Sequence, residues 1–323
     1  MYFVHCRLLS ALIASVAMTL SAHADTYPSK PVRIVVPFPP GGSTDTLARQ
    51  IAAGLQQMWG QGVVVDNRPG ASGNIGSTEV VRAAADGYTL LAQNPTMIGN
   101  LAVMGKLPYD PMKDLAPILY LGDTPMVLVA HPSSNISNVK ELVAAAKAKP
   151  GGLNYGSCGI GTPMHFAMEL LKDQTGVDAT HVSYKGCAPA LVDVLGGQVP
   201  LAIVTANLVV PHIRSGKLKA VGIASAQRYA QLPDLQTFEE QGAKGVEMSN
   251  WNALMGPAKL PPEIVAKLAA DITKVLADAA LMASVAKTGV VLRPAPANVL
   301  ANVLRSDSAK YTKLAKDHQI KAE

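Results

Sequence analysis

With 323 residues and a formal charge of +5, the chain is long enough for one large domain or two medium ones, and only mildly basic. It holds no Lys/Arg-rich block interleaved with aromatics, which argues against a nucleic-acid partner. Aromatic residues make up 5%, which argues against a sugar site built on stacked Trp and Tyr rings.

The N-terminus reads as an export signal. Met1 to Arg7 is a short basic segment, Leu8 to Ala22 is apolar or small, and Ala22-His23-Ala24 fits a small-x-small cleavage site, with cleavage expected after Ala24. The apolar run is too short for a spanning helix, which needs about 20 residues. Cys6 precedes that run, so it is no lipid-attachment cysteine. Removing Arg7 leaves a charge of about +4 on a mature chain of about 300 residues, which is expected to be soluble.

Strand-like and helix-like segments then alternate. Val32–Pro37 reads as a strand and Asp45–Trp59 as a helix with Leu47, Ile51 and Leu55 on one face. Val63–Asp66, a helix near Ser77–Ala85 and Thr89–Gln93 complete a βαβαβ order. Strands are expected at Ile118–Leu121 and Met126–Ala130, split by the turn Gly122-Asp123-Thr124-Pro125. A second series follows: helix Val139–Lys147, strand Leu153–Tyr155, helix Met164–Gln174, strand His181–Tyr184, helix Ala188–Leu195, strand Leu201–Val204, helix Val209–Ser215 and strand Leu218–Ala224. Trp251–Met255 reads as a last strand before the longer helices Pro262–Asp278, Ala280–Lys287 and Ala297–Lys316. Two such series imply two α/β lobes, each a mostly parallel sheet flanked by helices. Residues 25–124 plus 227–323 are expected to form one lobe and 125–226 the other, with crossovers near Asp123–Met126 and Ala224–Ala230.

Two glycine-rich turns, each between a strand and a helix, carry the chemistry. In VRIVVPFPPGGSTDTLARQ (Val32 to Gln50), three prolines stiffen the turn and Gly41 and Gly42 let a ligand approach the backbone. Ser43, Thr44 and Asp45 offer N-cap oxygens, and the N–H groups of Gly42 to Thr44 would hold a carboxylate at the positive helix end. A capped turn with no ligand explains the same residues.

In LNYGSCGIGTPMHFAMELL (Leu153 to Leu171), Gly159 and Gly161 are similar to a dinucleotide fingerprint. Met164 stands at the third glycine and no acidic residue follows near Tyr184, which disfavours a nucleotide. Thr162 and Pro163 suit a helix start, and His165 reads as a structural histidine bonded to a neighbouring loop. In a third turn, SYKGCAPA, Gly186 permits close approach, Cys187 or the following N–H groups could meet a ligand, and Lys185 reads as solvated.

Cys158 and Cys187 each follow a strand and precede a helix in consecutive βα units, which puts both turns on one sheet edge. They form a disulfide in an oxidising compartment, or stay as free thiols against an apolar ligand body. Neither has zinc-type spacing with His165, His181 or His212, so no metal is expected. There is no Gly-x-Ser-x-Gly elbow, Walker A sequence or His-Glu-x-x-His, and Ser157 with His165 as base lacks an orienting third group.

The strings PFPPGGSTDTLAR, VVVDNRPGASGNIG, ADGYTLL, GIGTPMHFAMELL, HVSYKGCAPALVDVLGGQV and PHIRSGKLKAVGI run in order over nearly the whole mature chain. In them the chain closely resembles the Bug-type extracytoplasmic solute receptors of tripartite tricarboxylate transporters. The resemblance implies a two-lobed, type II-like periplasmic-binding-protein fold with the ligand in the interlobe cleft. It implies a periplasmic monomer that delivers a small organic carboxylate to membrane permease subunits, without catalysis, cofactor or nucleic acid. By the same resemblance the ligand-facing positions fall on Phe38 to Asp45, Asn94 to Thr96, Ser157 to His165, and Gly186 to Cys187, with Val204 and Thr205 where the family usually carries an acidic or Asn/Ser-type residue. The missing acidic residue disfavours amino acids, and the two cysteines make the second lobe less polar. A dicarboxylate with an apolar or aromatic body, such as terephthalate, is the expected ligand. A secreted hydrolase or transferase and a sensor-coupled binding protein are the competing readings.

Overall fold

The computed structural model describes residues 27–321; the expected export signal and Cys6 lie outside the described residues. β1 (Val32–Val36) is a nearly unbroken apolar run, as a strand covered on both faces requires. After it, α1 (Ser43–Trp59) lays Leu47, Ala48, Ile51 and Leu55 on the sheet and stops at Gly60, whose left-handed φ of 66° lets its N–H reach the Gln56 carbonyl.

The first unit continues with β2 (Val63–Asn67), α2 (Asn74–Val81), β3 (Thr89–Gln93), α3 (Thr96–Met104) and β4 (Leu115–Asp123). The second comprises β5 (Met126–Ala130), α4 (Val139–Ala148), β6 (Asn154–Ser157), α5 (Pro163–Thr175), β7 (Thr180–Ser183), α6 (Cys187–Leu195), β8 (Leu201–Thr205), α7 (Ala206–Arg214) and β9 (Lys219–Ile223). The chain ends with β10 (Trp251–Pro257), α8 (Pro262–Leu276), α9 (Ala279–Lys287), β11 (Val291–Pro296) and α10 (Ala297–Asp317). No helix of the described residues is long and apolar enough to cross a membrane.

Two sheets form, one ordered β11-β4-β10-β3-β1-β2 and the other β7-β6-β8-β5-β9. The two-lobed α/β architecture is as the sequence implies, but the sheets are mixed, not mostly parallel. β10 runs antiparallel to β3 and β4, and β5 antiparallel to β8 and β9. The reason is geometric. β5 and β10 are the strands that begin where the chain passes from one sheet to the other. That passage lies at the edge where the parallel strands end, so a strand starting there must run the opposite way.

The return crossing also differs from the expectation of Ala224–Ala230. Tyr229 and Leu232 are buried with Val127 and Val204, and Phe238 donates its N–H to the Ile223 carbonyl, so this segment stays on the five-stranded sheet. The chain recrosses just before Trp251, beside the first crossing, where the Thr124 N–H donates to the Asn250 carbonyl at 2.9 Å. α10 then straps the two lobes. Its Tyr311 ring meets Phe166 of α5 edge-on at 4.7 Å, and His318 beyond its end lies 2.9 Å from Asp173.

Candidate functional site

The topology gathers the expected residues on two facing edges. Loop 38–45 and Asn94 follow the parallel strands β1 and β3, while Ser157–Thr162, Gly186 and Thr205 follow the parallel strands β6, β7 and β8. Both crossing segments lie on the same edges, so the lobes meet there. Gly99 of α3 abuts Gly161 of the opposite lobe so closely that an added Cβ would sit 1.8 Å from the Gly161 carbonyl oxygen.

In the first loop, Gly41 takes a left-handed φ of 91° and Gly42 becomes the N-cap of α1, with no side-chain cap. Ser43, Thr44 and Asp45 are therefore the first helical residues, not caps. Among the described residues, the N–H groups of Gly42, Ser43 and Thr44 and the Ser43 hydroxyl meet no hydrogen-bond partner. They form a compact donor set at the positive end of a helix. The Thr44 hydroxyl is committed elsewhere, donating to Asn252 Oδ1 at 2.9 Å and accepting from Asn94 Nδ2 at 3.3 Å. Asn94 Oδ1 in turn accepts the Thr96 N–H at 3.0 Å.

Asp45 turns inward. Its carboxylate accepts from Gly41 N–H at 2.9 Å, from Arg49 Nε at 3.1 Å and from Asn67 Nδ2 at 2.9 Å. Burial opposes its ionisation, but the bonds from Arg49, Gly41 and Asn67 prevail and hold the carboxyl below its ordinary range. Asn67 also donates to the Phe38 carbonyl at 3.1 Å, which fixes the half-buried Phe38 beside Gly73. Asp45 is thus a brace under the loop. Asp45→Ala is expected to cost about 3 kcal/mol in a urea titration at neutral pH, because three donors lose their acceptor. Above the pKa of an unfolded carboxyl this contribution is complete. As pH falls through the lower folded value the native carboxylate protonates, and the part of the difference that comes from its ionisation should be lost.

The second loop spends most of its donors internally. Gly159 N–H goes to Ser157 Oγ at 3.1 Å, Ile160 N–H to Ser183 Oγ at 3.2 Å, and Gly161 N–H to His165 Nδ1 at 3.4 Å. The Thr162 hydroxyl donates to the Gly159 carbonyl at 2.7 Å and accepts the His165 N–H, so it is a cap as expected. Pro163 has no N–H, which leaves Met164. The freer donors of this lobe are the N–H groups of Cys187 and Ala188, just past Gly186, which has a φ of 115° and opens α6. Cys158 and Cys187 form a disulfide, with Cα atoms 4.2 Å apart, so the free-thiol alternative does not hold. Thr205 is buried at the end of β8, paired with Met126 beside the first crossing.

Behind these loops lies a buried polar chain. Ser157 Oγ is 2.6 Å from His181 Nε2, so its imidazole partner is His181 and not His165. His181 stacks on His165 at 3.9 Å and on Tyr155 at 5.0 Å, and the Tyr155 hydroxyl donates to Glu169 at 2.7 Å. Burial is the main cause that drives both histidines down, His165 to about 4 and His181 to about 3, so both are neutral at pH 7. Ser157 is fully buried and, among the described residues, no carboxylate bonds His181, so the pair braces the loop.

Three features escaped the sequence reading. Asn252 is almost fully buried and bridges Thr44 to Thr124, its Nδ2 donating to Thr124 Oγ1 at 3.0 Å. It links the first loop to the crossing strands. Ala71 and Ser72 both adopt left-handed φ, 45° and 53°, and Asn100 of α3 pins that turn by donating to the Ser72 carbonyl at 2.7 Å. The string VVVDNRPGASGNIG contains that turn, but not the sign that two of its non-glycine residues take left-handed φ.

A family model described as the tripartite tricarboxylate transporter family receptor matches residues 47–320. The chain is 39% identical over 289 residues to protein BugT of Bordetella pertussis, covering 88% of each. It is similar to Rpa4515 of R. palustris, solved with adipate, at a TM-score of 0.85 and 33% identity, covering 91% of this chain and 99% of that one. It is also similar to MatC of Rhodopseudomonas palustris, solved with bound malate, at a TM-score of 0.81 and 31% identity, covering 89% and 99%.

Proposed function

This chain belongs to the tripartite tricarboxylate transporter receptor family, and from that premise we propose that it is a periplasmic receptor for a dicarboxylate, delivered to the permease subunits of such a transporter. Members of this family are solute-binding receptors and not enzymes. The observation that carries the ligand class is the pair of unpartnered donor sets, Gly42 to Thr44 in one lobe and Cys187 with Ala188 in the other. Each suits one carboxylate, and neither offers a counter-charge for an amino group. The disulfide and Phe38 favour an apolar body between the two carboxylates, as in terephthalate or adipate. The protein acts as a monomer without a cofactor. Its lobes close about the paired crossings at Thr124 and Asn250.

A thermal-shift screen of mono-, di- and tricarboxylates tests the reading. A matching acid at a hundred times its dissociation constant should add about 2.7 kcal/mol of stability, and sugars or cationic amino acids should add none. Gly42→Val is the decisive variant. Gly42 has an ordinary φ of −72° and no atom within 4 Å of an added Cβ, so the fold accommodates valine. Its isopropyl group would occupy the space over the donor set. Affinity should fall about a hundredfold and for Ser43→Ala about tenfold, the cost of two hydrogen bonds to a charged group and of one. Unchanged calorimetric affinity in both variants would overturn the site.

A further inference from the structure

We propose that the Cys158–Cys187 disulfide positions the second-lobe half of the binding site, holding the turn before α6 at a fixed place so that its donors meet the ligand preformed. This rests on the dicarboxylate reading above.

The case begins with how little else holds that turn. β7, the strand leading into it, is the outer strand of its sheet, paired with β6 alone, and none of its residues is buried. Lys185 is exposed, and no atom lies within 4 Å of a Cβ built on Gly186, so nothing packs over the tip of the turn; Tyr184 before it packs against the core and donates its hydroxyl to Asp193 of α6 at 2.6 Å. Its backbone ties are the Tyr184 N–H to the Ser157 carbonyl at 3.3 Å and the Gly186 N–H to the Cys158 carbonyl at 3.1 Å. Both reach the same short segment that the disulfide grips. The body of α6 is anchored separately by Ala190 and Val194, which are buried.

The β6–α5 turn is the opposite case. Ser157 is clamped by His181, Thr162 by the Gly159 carbonyl, and Gly161 by His165. The disulfide therefore joins a loosely held turn to a rigidly held one. Rigidity is passed to the turn that carries the Cys187 and Ala188 N–H groups, and order present before binding need not be bought by the ligand. The sulfurs themselves need no contact with the ligand, which makes the pair a positioning element.

Three states of the mature protein test this: oxidised, reduced with a phosphine, and the double variant Cys158→Ser with Cys187→Ser. In the reduction the disulfide takes up two electrons and two protons to give two thiols, and the phosphine takes the oxygen of water as its oxide. Calorimetry uses terephthalate, adipate and malate as probes. The acid that binds the oxidised protein best should bind about tenfold more weakly to both other states. Amide hydrogen exchange without ligand should quicken at Tyr184 and Gly186, the two bonded amides of the turn, while β6 and β8 stay protected. An affinity within twofold of the oxidised protein overturns the proposal, as does faster exchange through the whole five-stranded sheet, which would make the bond a support of the fold. If the oxidised protein binds none of the three acids, the dicarboxylate reading itself fails, a result distinct from the other two.

Discussion

Acidification from pH 6.5 to pH 4.5 is expected to remove about 3 kcal/mol of unfolding free energy through His165 and His181. Burial depresses both imidazoles, to about 4 and about 3, with Lys172 and His318 adding to the effect on His165, and His165 itself adding to that on His181. Their ordinary value is 6.5. Below that value the unfolded chain binds protons that the folded chain refuses, so acid favours unfolding. The stabilising contribution is complete above 6.5 and drains away as pH falls toward the folded values. A fully buried imidazole gives a slope of up to about 1.4 kcal/mol per pH unit. His181 is only partly buried and the rings are coupled at 3.9 Å, so the pair should deliver less than twice that slope. Urea midpoints at three pH values measure it, and His165→Gln with His181→Gln should flatten the dependence. A wild-type stability that does not change over this range would mean that the stacked pair accepts a proton in the folded state.

Gly99→Ala is expected to weaken carboxylate binding about a hundredfold while barely moving the unfolding transition, the usual reach of one overpacked contact. The new methyl carbon would lie 1.8 Å from the Gly161 oxygen and 2.9 Å from its carbonyl carbon. Both are backbone atoms, in a loop pinned by His165 and Thr162, so they have little room to yield. The relief is for α3 to draw back, which parts the lobes and separates the two donor sets. The first lobe alone gains from the change, because alanine favours a helix over glycine by roughly 1 kcal/mol. Small-angle scattering at a saturating acid concentration should therefore show a larger radius than the wild type. Equal affinity and equal radius would show that the Gly99–Gly161 contact plays no part in closure.

Most strands and helices could be read in the chain because their apolar periods are strong, as in Val32–Val36 and α1. Two could not. α3, TMIGNLAVM, carries no polar face, because both lobes bury its first half, so no helical period shows. β11, VLRPAP, holds two prolines and resembles a loop; it survives as the outer strand of its sheet, where a missing N–H costs little. At the site, the glycine turns and their chain order were legible because glycine is required by backbone geometry. Side-chain commitments were not. Asp45 and Thr44 looked free to meet a ligand, yet Arg49, Asn67 and Asn252 occupy them, the last from more than two hundred residues away. Partners so distant leave no mark in local sequence.

The placement of β10 governs how this protein comes into being. Strands β3 and β4 flank it, yet β10 is made long after both, so Ala253, Leu254 and Met255 must find Gln93, Ala92 and Leu91 across about half the chain. Until then the early strands present two open edges, the kind of surface that sticks to other chains. Pairing across such a span is slow, since a long loop must close before any bond rewards it. A ribosome or an export channel releasing the chain from its N-terminus cannot finish the first lobe first. The sheet stays split until the last third emerges, and during that interval the chain depends on whatever keeps its open edges apart.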